Sequence, residues 1–262
     1  MSMRLPLQGR RRPGDDPEDR PRPFLEHLTD LRRCVIHCAA AWLGATLLVA
    51  PWAPRILALI MEPLRLSGHD PDALVRGQRL GSGFSVLFQI MLWGGVLLSL
   101  PLLFLFIAQF VFPGLRPNER RAVRSALLGA GALFILGVAL CFRQTMPLAV
   151  DALFRVNAWM GVEIWPLQLE DYVNMVVKTL LAFGLAFQLP LALLALGWTG
   201  ILPARLLRAK RRHAVVVIAV LAMILTPPDP VSMLAMALPL YLFYEVCILL
   251  IATRERARRH VS

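Results

Sequence analysis

The residues whose types and spacing could do chemistry are carboxylates set at the ends of long apolar runs. Glu26 and Asp30 lie four apart in FLEHLTDLRR, residues 24–33, so on a helix they share one face. Phe24, Leu25, Leu28, Leu31 and Val35 recur as an apolar stripe away from that face. An acidic amphipathic helix at a membrane surface is unusual, because anionic headgroups attract Lys and Arg and repel carboxylates. The pair is therefore better placed for a cationic partner than for lipid. A plain solvated face, with ion pairs to Arg33 worth a few tenths of a kcal/mol, stays open as the alternative. The same alternative applies to Glu119, which sits beside Arg120, Arg121 and Arg124.

Three further polar residues stand out. Asp229 precedes Pro230 in LTPPDPVSM, residues 225–233, where it suits the N-cap of the following helix; it is equally placed to hold a polar partner. Glu245 falls inside the last apolar run, where a carboxylate costs several kcal/mol unless paired or protonated; snorkelling and function are both open. Gln188 is neutral, and an interhelical hydrogen bond is its ordinary role.

None of these groups composes a catalytic site. The chain has no G-x-x-x-x-G-K-[ST] loop, no H-E-x-x-H and no G-x-S-x-G elbow. The GSG at 81–83 reads as a turn. Cys34, Cys38, Cys141 and Cys247 form no C-x-x-C pair and read as packing residues. The expectation is a non-enzyme with no metal and no cofactor. Any work it does must draw on a gradient or a partner.

The elements that position these residues are membrane spans. Of the 262 residues, 57% are hydrophobic, and the mean hydropathy is +0.61; a soluble domain averages about 45–50% apolar. The excess is arranged in six runs, at about 35–51, 84–112, 125–147, 172–199, 214–226 and 231–252. The net charge of +11 would suit nucleic acid, but the charges cluster between the runs. Residues 1–34 and the segments holding Arg116 to Arg124, Arg205 to Arg212 and Arg254 to Arg259 carry most of the 28 basic residues. The intervening segments are offset by Glu62, Asp70, Asp72, Asp151, Glu163, Glu170 and Asp171. The positive-inside rule then gives six spans with both termini inside and no role for nucleic acid.

Residues 1–23 read as a disordered cytoplasmic tail, since RRRPGDDPEDRPRP lacks an apolar h-region. Residues 24–252 form the membrane domain and 253–262 a basic cytoplasmic tail. The fifth run has only 13 residues before Pro227-Pro228, and the sixth is interrupted by Pro239. The last two helices are accordingly expected to be short. The fold class is an all-α polytopic membrane protein.

Seven segments together resemble the TatC family, the multispanning receptor of the twin-arginine protein translocase. They are FLEHLTDLRR (24–33), EPL (62–64), FVFPGLRPNERR (110–121), MPLAVDAL (146–153), FGLAFQLPLAL (183–193), LTPPDPVSM (225–233) and PLYLFYE (239–245). They fall in order from residue 24 to 252.

The resemblance implies a protein of the bacterial inner membrane that binds signal peptides bearing two consecutive arginines. With single-span TatA/TatB-type partners it would export folded proteins on the proton-motive force, within a complex holding several copies. Guanidinium matches carboxylate bidentately, which ammonium cannot do. Asp30 and Glu119 match the family's two signal-binding acidic positions; Phe110, Arg32 and Glu26 belong to the same implied site. Pro63, Phe84 and Asp229 match functional positions on the outer side. Met223 and Thr226 match the docking edge for partner helices, and Gln188, which stands where many relatives carry an intramembrane glutamate, is implied to dock a partner helix by a hydrogen bond. Asp30 is one methylene shorter than the family's usual glutamate, and Cys34 replaces a usual cation.

A small secondary transporter or channel is the alternative. It would require inverted repeats and a midplane polar site; the halves share no repeat, and Gln188 alone is a thin site. An intramembrane protease would need a nucleophile beside His37, the one histidine inside a span, and no serine accompanies it.

Overall fold

The computed structural model describes residues 24–76, 80–111, 117–162, 167–198, 200–227 and 229–259. The residues 1–23 of the expected tail, and the end of the C-terminal one, lie outside them.

Among the described residues the regular structure is helical apart from one two-residue strand pair. Helix α1 (Phe24–Val49) runs through a 3-10 turn at Ala50–Trp52 into α2 (Ala53–Ile60) and α3 (Glu62–Leu66). A short α4 (Pro71–Leu74) and strand β1 (Val75–Arg76) lead to α5 (Ser82–Val111). Then come α6 (Pro117–Leu140), a π-helical turn at Cys141–Thr145, and α7 (Met146–Met160). Strand β2 (Leu167–Gln168) precedes α8 (Leu169–Ala186), and α9 (Leu189–Trp198), α10 (Ala204–Ala209), α11 (Arg211–Leu225) and α12 (Pro230–Arg259) complete the order. β1 and β2 pair in parallel, Val75 with Leu167 and Arg76 with Gln168, which ties two loops together at one end of the bundle.

Among the described residues, five stretches are long and apolar enough to cross a membrane: Leu28–Leu66, Ser82–Ile107, Leu128–Met160, Leu169–Trp198 and Pro230–Arg256. Helix α11 has 15 residues, about 22 Å of rise against a hydrocarbon core of ~30 Å. The shortness expected of the last two helices therefore holds for α11 and fails for α12. That helix has 30 residues and carries Pro239 inside it. Proline removes one ladder hydrogen bond, and membrane helices tolerate it because neighbouring helices support the backbone.

Other run boundaries shift as well. The acidic segment 24–33 is not a separate surface helix; it is the start of α1, continuous with the first apolar run. Pro147 does not end the third run. The Met146 amide donates to the Cys141 carbonyl five residues back, and this wider turn carries the chain past the proline into α7, which ends at a left-handed Gly161. The fourth run breaks at Phe187–Gln188 and resumes as α9.

The core lies where α8 packs against α5 and α6 and where α12 packs against α7, α9 and the π-helical turn; Phe183, Phe187, Met146, Met236 and Ile248 are fully buried. Leu47, Leu136, Ile224, Leu238 and Leu249 are exposed. An apolar surface of this extent fits a lipid surround.

Candidate functional site

The seam between α1 and α5 sets the register at one end. The helices run antiparallel: the Cys34 thiol donates to the Phe106 carbonyl at 3.6 Å, and the His37 ring stacks on Phe106 at 5.6 Å. Further along, Gly94 meets Val49 and Gly95 meets Thr46 so closely that no Cβ fits at Gly95. Continuing this register, Asp30, one turn before Cys34, comes level with Phe110, one turn beyond Phe106.

Asp30 is half-buried, and Arg32 and Arg33 are exposed. Glu26 falls one turn before Asp30 in α1, and Phe110 in the last turn of α5; their side chains lie outside the described ones.

Glu119 enters in the first turn of α6, and its side chain is likewise outside the described ones. Phe104 and Phe134 meet edge to face at 6.5 Å, which fixes α5 against α6. Counting ~1.5 Å per residue from that contact, Glu119 stands roughly 13 Å beyond Phe110 along the bundle axis. Asp30 and Glu119 thus share one end of the molecule and are staggered along its axis.

The same end also carries Arg205, Arg208, Lys210, Arg211, Arg212 and Arg254. Tyr244 donates to the Leu207 carbonyl at 2.7 Å, and the Ala204 amide donates to Glu255 at 2.9 Å. Arg254 lies over the Trp198 ring at 4.8 Å. These contacts bring the end of α9, all of α10, the start of α11 and the end of α12 together. Glu245 accepts from Arg211 at 2.7 Å and from Tyr241 at 3.2 Å. A charge-assisted bond and a neutral one thus hold the carboxylate that stood open between snorkelling and function.

The opposite end carries Pro63, Phe84 and Asp229. Pro63 is buried at the start of α3, beside Leu64. Nearby, Tyr172 donates to the Ile60 carbonyl at 3.0 Å. Phe84 is exposed in the first turn of α5 and packs on Phe88 at 5.0 Å. Asp229 is buried and caps α12: its Oδ1 accepts the Ser232 amide at 2.6 Å, and Oδ2 meets the Ser232 hydroxyl. The capping geometry expected from Asp229-Pro230 is present.

Gln188 fills the break between α8 and α9, where its Nε2 donates to the Ala130 carbonyl of α6 at 3.1 Å. Its neighbours explain the close approach: a Cβ at Gly184 would enter the Phe134 ring, and one at Gly137 would stand 2.8 Å from Phe187. Met223 and Thr226 do not share a face. Met223 is exposed on α11, whereas Thr226 is buried and donates to the Ala222 carbonyl at 2.8 Å.

The sequence reading missed the Arg211–Glu245 pair and the glycine seams. The basic cluster just before the fifth apolar run was a visible signal for the first. Only three-dimensional register identifies which glycines lie in a seam.

A family model described as Sec-independent protein translocase protein (TatC) matches residues 26–239. The Sec-independent protein translocase protein TatC of Deinococcus radiodurans is 34% identical over 238 residues, 89% of this chain and 87% of its own. That of Escherichia coli K12 is 30% identical over 224 residues, 86% of each. A crystal structure of the twin arginine translocase receptor TatC superposes with a TM-score of 0.73 at 27% identity, covering 87% of this chain and 98% of that one.

Proposed function

The chain belongs to the TatC family of Sec-independent protein translocase proteins, multi-pass proteins of the inner membrane, and on that footing we propose that it receives twin-arginine signal peptides. In this reading the basic end is cytoplasmic. The short α11 makes a sixth crossing, and both termini lie inside. Asp30 and Glu119 each take one arginine of the pair, and Phe110 and Arg32 border the site. Single-span partners dock along α11 near the exposed Met223, and the assembled complex moves folded proteins using the proton-motive force. The chain does no covalent chemistry.

The observation that carries the reading is the α1–α5 register. Extended by one turn from Cys34 and Phe106, that register supports a site in which Asp30 is level with Phe110, at the end where Glu119 lies in the first turn of α6. Two staggered carboxylates suit two adjacent arginines whose side chains diverge. Each bidentate guanidinium–carboxylate contact adds orientation that a lysine lacks. The transporter alternative has little to rest on, because Gln188 is engaged with the Ala130 carbonyl. Photo-crosslinking of a twin-arginine peptide to membranes carrying Glu119→Ala tests the proposal; a strong loss is expected, and undiminished crosslinking would sink it.

A further inference from the structure

A basic cluster at the start of α11 is not used by the proposed site at Asp30 and Glu119. Between α9 and α11, over α12, runs an open groove of about 390 Å³. Its walls are apolar side chains, among them Leu193, Val217, Leu221 and Leu240. The Tyr244 hydroxyl on its floor is already committed to the Leu207 carbonyl, so the floor offers no free donor. The groove's mouth is different: Lys210 and His213 line it there, and both are exposed.

The charges at that mouth are placed against ordinary preference. Lys210, Arg211, Arg212 and His213 crowd the start of α11, where the helix dipole disfavours cations and favours an anion. No side chain caps this helix start. Arg211 is paired with Glu245. Among the described residues no carboxylate lies in ion-pair range of Lys210 or His213. An anion at the mouth would relieve this cluster and complete the open end of the helix.

An apolar trough with an anion site at its membrane-surface end has the shape and charge of one ligand class. Basic pockets between membrane helices are suited to anionic lipid headgroups. We propose that this groove holds an anionic phospholipid from the leaflet at the basic end. The phosphate sits on Lys210, His213 and the first amides of α11, and one acyl chain lies along Leu193, Val217 and Leu221. The lipid would thereby brace the short α11 against α9.

The test uses the full chain in nanodiscs of phosphatidylcholine doped with phosphatidylglycerol bearing a photoactivatable group on one acyl chain. Adducts are expected at Leu193, Val217 or Leu221. They should fall at least fivefold in the Lys210→Gln/His213→Gln double variant, and equally with a phosphatidylcholine probe. Lys210→Arg should retain them, and Val217→Trp, which fills the trough and leaves both basic residues, should lose them. Equal labelling by the two probes, labelling undiminished in the double variant, or adducts confined to other surfaces would overturn the proposal. So would capture of a single-span helix in the groove with no lipid adduct there.

Discussion

Arg211 reaches across the α11–α12 seam to Glu245 at 2.7 Å, and Tyr241 holds the other carboxylate oxygen at 3.2 Å. The pair ties the start of the 15-residue α11 to the 30-residue α12. Arg211 is about half exposed, so screening limits the coupling to about 1 kcal/mol or less. Arg211→Ala and Glu245→Ala should each lower the unfolding midpoint in detergent. The double variant should lose less than the sum of the two, and strict additivity would refute a direct coupling.

How much of this was legible in the sequence depends on the scale of the interaction. Hydropathy runs located the five long apolar spans among the described residues, because hydropathy acts within a short window of chain. The Asp229 cap was legible for the same reason: its partner, Ser232, is three residues away. Helix ends near proline were misread at Pro147 and Pro239, where a π-helical turn and neighbouring helices carry the chain onward. Gln188's partner lies 58 residues off on α6, and no local pattern encodes such a distance. Asp30 could be picked out as a carboxylate in an odd place, whereas its level relative to Phe110 needed the contact of Cys34 with Phe106.

The α1–α5 seam predicts opposite signs for two glycine substitutions in one helix. At Gly95 an added Cβ would stand 2.8 Å from the Thr46 Cα and 2.9 Å from its nitrogen. Backbone atoms cannot swing aside, so α1 must move, at a cost of about 1–3 kcal/mol. At Gly83 nothing lies within 4 Å, and alanine should gain up to about 1 kcal/mol of helix propensity. Thermal melting of Gly95→Ala and Gly83→Ala checks this; equal effects would argue against the close helix approach.

Asp229 can be divided between capping and function by two substitutions. Asp229→Ala removes the acceptor for the Ser232 amide, and a lost cap costs about 0.5–2 kcal/mol. Asp229→Asn keeps an acceptor oxygen and should melt close to the parent. If transport fails in Asp229→Asn at unchanged stability, the charge itself has a role at this end. If transport follows stability in both variants, capping accounts for the residue.

At Asp30 the charge and the reach of the side chain can be separated. Asp30→Asn preserves shape and removes the charge. The site is half-buried, and a hydrogen bond to a charged group contributes about 1.5–3 kcal/mol, so binding of a twin-arginine peptide should weaken by roughly tenfold or more. Asp30→Glu restores the charge on a longer stem and should keep or tighten binding. A peptide with two lysines measures what the bidentate contact adds: it should bind the parent weakly, and the preference for arginine over lysine should shrink in Asp30→Asn. Fluorescence titration in nanodiscs reads all three, with the melting temperature as a control for folding. An arginine preference that survives in Asp30→Asn and in Glu119→Gln alike would remove both carboxylates from recognition, and the acidic face of α1 would revert to a solvated surface.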